Sequence, residues 1–223
     1  MRIIKLKDLL REQKLIETPV ADLPPPEVRI VVPHAVHAYN QAASDAAGKH
    51  YTQPNIDFTG IGGRESDSLV KSKAANIIKG FENTIKAGYN KVDKKWYPHK
   101  SLEGGSDTIA YGHKIQKGED FSEGLTDDEA MALLDKDIDA KLKLSKKLLK
   151  NFDGMPLEVK LAVLNGMFRG DLSGSPQTLR LLNANRFKEA AREYLNNREY
   201  KTTRNTGVKK RMNWNAAVFA AAG

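Results

Sequence analysis

The sequence predicts an α+β fold: a small antiparallel sheet lobe and a helical lobe joined by a long helix, with an N-terminal extension. Three observations point there. Apolar residues at helical spacing begin near Leu69, give way to turn-rich, strand-like sequence through residue 118, and then return for the rest of the chain. One helical pattern, opening at Thr126, is much longer than the others. The first 73 residues have a different texture, with three consecutive prolines and little periodicity.

In the extension, "MRIIKLKDLL" suits a short amphipathic helix or docking arm. Lys5, Lys7 and Asp8 interrupt its apolar run, which falls short of the ~7–15-residue apolar core of a signal peptide. Pro24, Pro25 and Pro26 favour extended polyproline geometry and end any helix. "VRIVV" reads as one strand, "HAVHAYNQAASDAAGK" as a short helix, and residues 52–68 as loop. His34, His37 and His50 show no ligand spacing, and no metal is expected. Residues 1–73 therefore read as an arm or small accessory region, and residues 74–223 as the main domain.

Leu69, Ala74, Ile77, Ile78, Phe81 and Ile85 fall on one helical face, with Gly88 as the stop. Strand-like, Gly-rich sequence follows. Thr126 with Glu129 three residues later is a capping-box signature. Ala130, Leu133, Leu134, Ile138, Leu142 and Leu149 then line a long helix. Pro156 opens another, which stops near Gly170. "SPQTLRLLNAN", "RFKEAAREYLNN" and "KKRMNWNAAVFAAA" supply three more helical pieces.

Composition narrows the chemistry. The 223 residues include no cysteine, which excludes disulfides and thiolate catalysis. The formal charge is +8. Residues 74–223 hold 26 basic and 19 acidic side chains, a balance that suits an anionic polymer such as nucleic acid, teichoic acid or peptidoglycan. Aromatic residues are only 7% and do not interleave with the basic ones, so no specific nucleic acid is expected. No apolar run approaches the ~18 residues of a membrane span.

The chemistry-bearing stretch is "EGGSDTIAYGH", Glu103 to His113, which follows a helix whose end carries Glu82. A partly buried helix-end carboxyl beside a polar hairpin suits glycosidic cleavage, where an acid protonates the leaving oxygen and a second group handles water. A structural glutamate at such a position is the plainer reading.

The order of "GFEN" around Glu82, "WYPHKSLEGG", "TIAYGH" from Thr108 to His113, "LAVLNGMFRGDLSGSPQTLRLLNANRFKEAAREYLNN" and "NTGVKKRMNWNAAVF" resembles the tailed-phage lysozymes, glycoside hydrolase family 24. The resemblance covers residues 74–223. It implies a phage-lysozyme-like fold and a cofactor-free peptidoglycan hydrolase that cleaves the β-1,4 bond between N-acetylmuramic acid and N-acetylglucosamine. It implies Glu82 as general acid and Thr108 as the residue positioning water. The expected partner is bacterial peptidoglycan, with the N-terminal region available to hold a virion protein. An endolysin waiting in the host cytoplasm and a virion-carried lysozyme use the same chemistry, and the region before residue 74 favours attachment to another protein.

The chain departs from the family between Glu82 and Thr108, where the stretch is longer and "NKVDKKW" is expected as an extra loop over the cleft. The family's second acid is also displaced. Matching by Tyr97 puts His99 there, and matching by "EG" puts Ser101. His99 is the leading helper, because an imidazole accepts a proton near neutral pH. Glu103 and Asp107 are further candidates, although Asp107 adjoins Thr108 and would face the opposite side of a strand. His113 is expected to support the Glu82 helix, and Ala110 to occupy a regular strand position. Met167, Phe168 and the Leu179–Leu182 cluster read as core, whereas Asn165, Arg169, Arg204 and Asn205 read as substrate-binding groups on the cleft rim. Two alternatives stay open: a lytic transglycosylase giving 1,6-anhydro products, and a virion structural protein that keeps a lysozyme fold.

Overall fold

Helix α1, Asp67–Phe81, begins where the Ser66 hydroxyl accepts from the Leu69 N–H and buries Val70, Ala74, Ile77 and Ile78 on one face. It ends well before Gly88. Glu82 takes extended angles (φ −85°, ψ 144°) while its N–H still bonds to the Ile78 carbonyl, so it is the C-cap. The expected domain boundary at 73/74 thus falls inside a helix. The computed structural model describes residues 65–82, 86–101 and 105–223. The strand, helix and histidines read in the N-terminal region lie outside the described residues, as do Ile85 and Glu103.

Two small antiparallel sheets follow. Strands β1 (Tyr89–Asn90) and β2 (Lys95–Trp96) form a hairpin of their own. Strands β3 (His99–Lys100), β4 (Asp107–Ile109) and β5 (His113–Lys114) form a three-stranded sheet in that order. The "NKVDKKW" segment is therefore a hairpin, closed internally by Asn90 Oδ1 accepting from the Val92 N–H and Asp93 Oδ1 from the Lys95 N–H. Its tip turns outward, leaving Val92 93% exposed. Trp96 anchors the hairpin, donating its indole N–H to Asp127 Oδ1 at 2.7 Å and pairing its backbone with Leu125.

Asp127 opens helix α2, Asp127–Leu148. Thr126 and Glu129 form the expected capping box, which satisfies backbone donors at the helix start and is worth about 1 kcal/mol. This helix belongs to two cores. Ala130 packs with Trp96, Ile109 and Ala110 under the sheets, while Leu134, Ile138 and Leu142 join the helical lobe.

Beyond a 3₁₀ turn at Phe152–Gly154, helix α3 (Leu157–Arg169) has every residue buried from Val159 to Met167. Gly170, at φ +100°, ends it in the left-handed conformation. Helices α4 (Pro176–Asn183), α5 (Phe187–Leu195), α6 (Arg198–Thr202) and α7 (Thr206–Ala221) wrap this centre. The short α6 has too few apolar residues to announce itself in a periodicity reading. Met167, Leu179 and Leu182 are core residues as expected, and Phe168 packs at the core's edge. None of these described helices is long and apolar enough to cross a membrane. The described residues thus form a mixed α+β architecture with two small antiparallel sheets.

Lys160 sits in the middle of buried α3 and is only 3% exposed. Its ammonium meets Glu65 Oε2 at 2.6 Å, just ahead of α1. Removing one partner from such a pair leaves an uncompensated buried charge, at a cost of about 3–5 kcal/mol. A 65–223 fragment should therefore unfold cooperatively near the full chain's midpoint. A 74–223 fragment, without Glu65, the Ser66 cap and Val70, should lose at least that much in urea unfolding. Equal midpoints for the two fragments would remove Lys160–Glu65 as a structural requirement.

Candidate active site

Because Glu82 leaves α1 in an extended conformation, its side chain emerges beside the sheet lobe at 21% exposure. Two distant segments meet it there. Arg211 of α7 donates through Nη1 to Glu82 Oε1. On the other oxygen's side, a Cβ built at Gly112 would lie 2.8 Å from Glu82 Oε2, and Gly112 has φ +83°. Glycine is required there twice, by backbone angle and by contact with the carboxylate. The turn inside "TIAYGH" is thereby pressed against Glu82.

Arg211 is rigidly held. Its side chain is 5% exposed, Nε donates to Asn165 Oδ1 at 2.9 Å, and Nη2 donates to the Asn165 carbonyl at 3.1 Å. The guanidinium also lies over the rings of Phe81 and Phe168, 5.6 and 6.0 Å from their centroids. Every guanidinium nitrogen has a fixed acceptor, so the cation defines where Glu82 Oε1 sits.

Thr108 and His99 face each other across β4 and β3, which places their side chains on one face of the sheet. Thr108 is buried, and its hydroxyl donates to the His99 carbonyl at 3.4 Å. The His99 Nδ1 lies 3.0 Å from the Lys100 carbonyl. A carbonyl only accepts, so Nδ1 carries the hydrogen and in the neutral ring Nε2 carries the lone pair. That Nε2 is buried without a hydrogen-bond partner.

The other sequence candidates separate clearly. Asp107 is exposed on the opposite face of β4 and pairs with Lys100 at 2.9 Å. Asn165 is fully buried and holds Arg211, so it is no rim residue. Arg169 is also turned inward, to Glu199 and Asp171. Asn205 is exposed but serves as the N-cap of α7, accepting from the Gly207 and Val208 N–H groups. Arg204 is exposed just ahead of that cap. Ala110 is not in a regular strand: its φ is +54°, in the turn before Gly112, where a side chain is strained.

His113 supports a different helix from the one expected. It does not bond to Glu82 of α1 but ties β5 to α2, with Nδ1 at 2.9 Å from Asp137 Oδ2 and Nε2 at 2.9 Å from Glu119 Oε2. The residues that the sequence reading left out are Arg211, Gly112, Asp137 and Glu119. The one advance signal among them was the quoted segment "NTGVKKRMNWNAAVF", which contains Arg211. Compared with protein-family models and with curated proteins, the chain matches none.

Burial disfavours charge on His113, but hydrogen bonds and attraction from Glu119 and Asp137 outweigh it and raise its pKa above 6.5. Glu119 is held below 4.5, first by the Gln116 N–H and then by His113. A raised histidine contributes stability that is complete below about pH 6.5 and fades as pH climbs through the folded value. A lowered glutamate contributes above about pH 4.5 and loses that contribution as pH falls through its folded value. The clamp should therefore stabilise most between these limits. The urea-midpoint gap between the parent and H113N should narrow steadily from pH 6 to pH 9. A gap that stays constant over that range would exclude a charged His113.

Proposed function

We propose that this chain is a peptidoglycan glycosidase that hydrolyses the β-1,4 bond between N-acetylmuramic acid and N-acetylglucosamine. The observation that carries the reading is the convergence on Glu82. One element of the "TIAYGH" hairpin and one cation of the closing helix fix a single, partly exposed carboxyl at a helix end. In this reading Glu82 protonates the glycosidic oxygen as the bond breaks. Arg211 steadies the carboxylate left behind, and the positive charge developing on the sugar ring is met by attack of water.

Water handling falls to Thr108 and His99. The Thr108 hydroxyl spends its hydrogen on the His99 carbonyl, so its oxygen lone pairs are free to accept from water. His99, opposite Thr108 in the register, is the helper that takes the proton water releases. After the bond is cut, that proton returns to solvent and Glu82 is reprotonated. The substrate is the glycan of the bacterial cell wall, reached either as an endolysin or from a virion.

A lytic transglycosylase is the second reading. It is favoured by the position of Asp107, which is exposed and paired with Lys100 and so places no carboxylate beside Thr108. Internal attack by the muramyl 6-hydroxyl would then replace water.

Purified E82Q should hydrolyse peptidoglycan about 10²–10⁴-fold more slowly than the parent, and unchanged turnover would end the glycosidase reading. The parent's products should carry reducing ends, whereas exclusive 1,6-anhydro ends would establish the second reading. H99A should lose most hydrolysis while remaining folded; full activity would take His99 out of the mechanism.

A further inference from the structure

Behind Arg211 the hydrogen bonds continue inward as a chain with one direction. Arg211 Nε donates to Asn165 Oδ1 at 2.9 Å, and Asn165 Nδ2 donates to Asn215 Oδ1 at 2.8 Å. Asn215 Nδ2 donates to the Tyr194 hydroxyl at 3.0 Å, which donates to Asp171 Oδ2 at 2.6 Å. Asn165, Asn215, Tyr194 and Asp171 are all buried, and they come from α3, α7, α5 and the turn after α3. Arg169 approaches the same oxygen of Asp171, with Nη1 at 3.5 Å from Oδ2, and itself pairs with Glu199.

The two ends differ in kind. A guanidinium can only donate, and an ionised carboxylate can only accept. Each member between them accepts one bond and donates the next. Asp171 forces the Tyr194 O–H to point at it, so the tyrosine oxygen must accept from the Asn215 amide N–H. The Asn215 carbonyl then faces Asn165, which must offer its own N–H there and its carbonyl to Arg211. Reversing either amide would set N–H against N–H, or N–H against the guanidinium, in a buried site.

Resting on the glycosidase reading of Glu82, we propose that Asp171 and Tyr194 are positioning residues: their hydrogen-bond polarity fixes two buried amides so that Arg211 presents Nη1 to Glu82. Neither touches substrate. Both act through the orientation of Asn165. Asparagine at 171 keeps the size of the side chain but offers a donor as well as an acceptor, so the direction is then compelled from the Arg211 end alone. Phenylalanine at 194 removes the link that transmits it.

The test compares the parent with D171N and Y194F in the full chain. One arm is independent of activity: the Arg211 Nε–H signal in ¹⁵N-edited NMR, assigned by its loss in R211K. This signal should shift in folded D171N and Y194F. The second arm is kinetic, with kcat falling roughly tenfold or more and KM changing little, as loss of alignment without loss of binding requires. The double variant should be no slower than the worse single one, because either change already removes the constraint from the Asp171 end. A parental Nε–H signal and parental kcat in a folded D171N or Y194F would overturn the proposal. If D171N does not fold, Y194F alone decides it. A parent that cleaves no peptidoglycan refutes the glycosidase reading instead, and the NMR arm still tests the polarity of the network.

Discussion

Contact between Arg211 and Glu82 is the interaction on which the rest of the site depends. It joins the last helix to the end of the first described one, across 129 positions of sequence. A lone carboxyl at a helix C-cap would otherwise face the negative end of the helix dipole and would be free to rotate. Arg211 supplies the opposite charge. It can do so without swinging away because Asn165, Phe81 and Phe168 occupy its remaining faces. Glycine at 112 closes the opposite side by bringing backbone where a methyl group would collide. Position is thus imposed on Glu82 from α7, α3 and the Gly112 turn as well as from its own helix.

Such a centre is expensive in the currency of burial. Lys160, Arg211 and Asp171 are charged groups placed among apolar side chains, where hydration is lost and only good geometry recovers it. Asp171 shows the strain directly. Burial pushes its carboxyl above the usual aspartate value, against the Tyr194 hydroxyl and the Arg169 and Arg211 cations that pull it down. Hydrophobic replacements would pack the same space at less cost. What the charges provide is discrimination: a hydrocarbon core tolerates small slips between helices, whereas a chain of directed hydrogen bonds does not.

Local features of this architecture were legible in the sequence and distant ones were not. The capping box at Thr126, the apolar face of α2 and the stop at Gly170 each depend on neighbours a few positions away, and periodicity reads those well. The opposed faces of Asp107 and Thr108 followed from strand geometry alone. By contrast, α1 stops at Phe81 although apolar spacing continues to Ile85, because the chain turns there to meet partners more than a hundred residues downstream. Asn165 looked like a surface polar residue because its buried partners, Arg211 and Asn215, lie in another helix. His113 was expected to support the Glu82 helix, but it bonds to Asp137 of α2, which nothing near it in sequence indicates. The proposed action on peptidoglycan rests on resemblance and on chemistry, not on any pattern of spacing.

A further consequence follows from the order in which the chain is made. Glu82 leaves the ribosome long before Arg211, by roughly 6–26 s at a synthesis rate of about 5–20 residues per second. Throughout that interval the sheets and α2 can form from local contacts, but the cation and both amides that orient the carboxylate wait on α7. The environment of Glu82 is therefore completed only once α7 has been made. A nascent chain halted before α7 would carry Glu82 and still lack the cation that holds it.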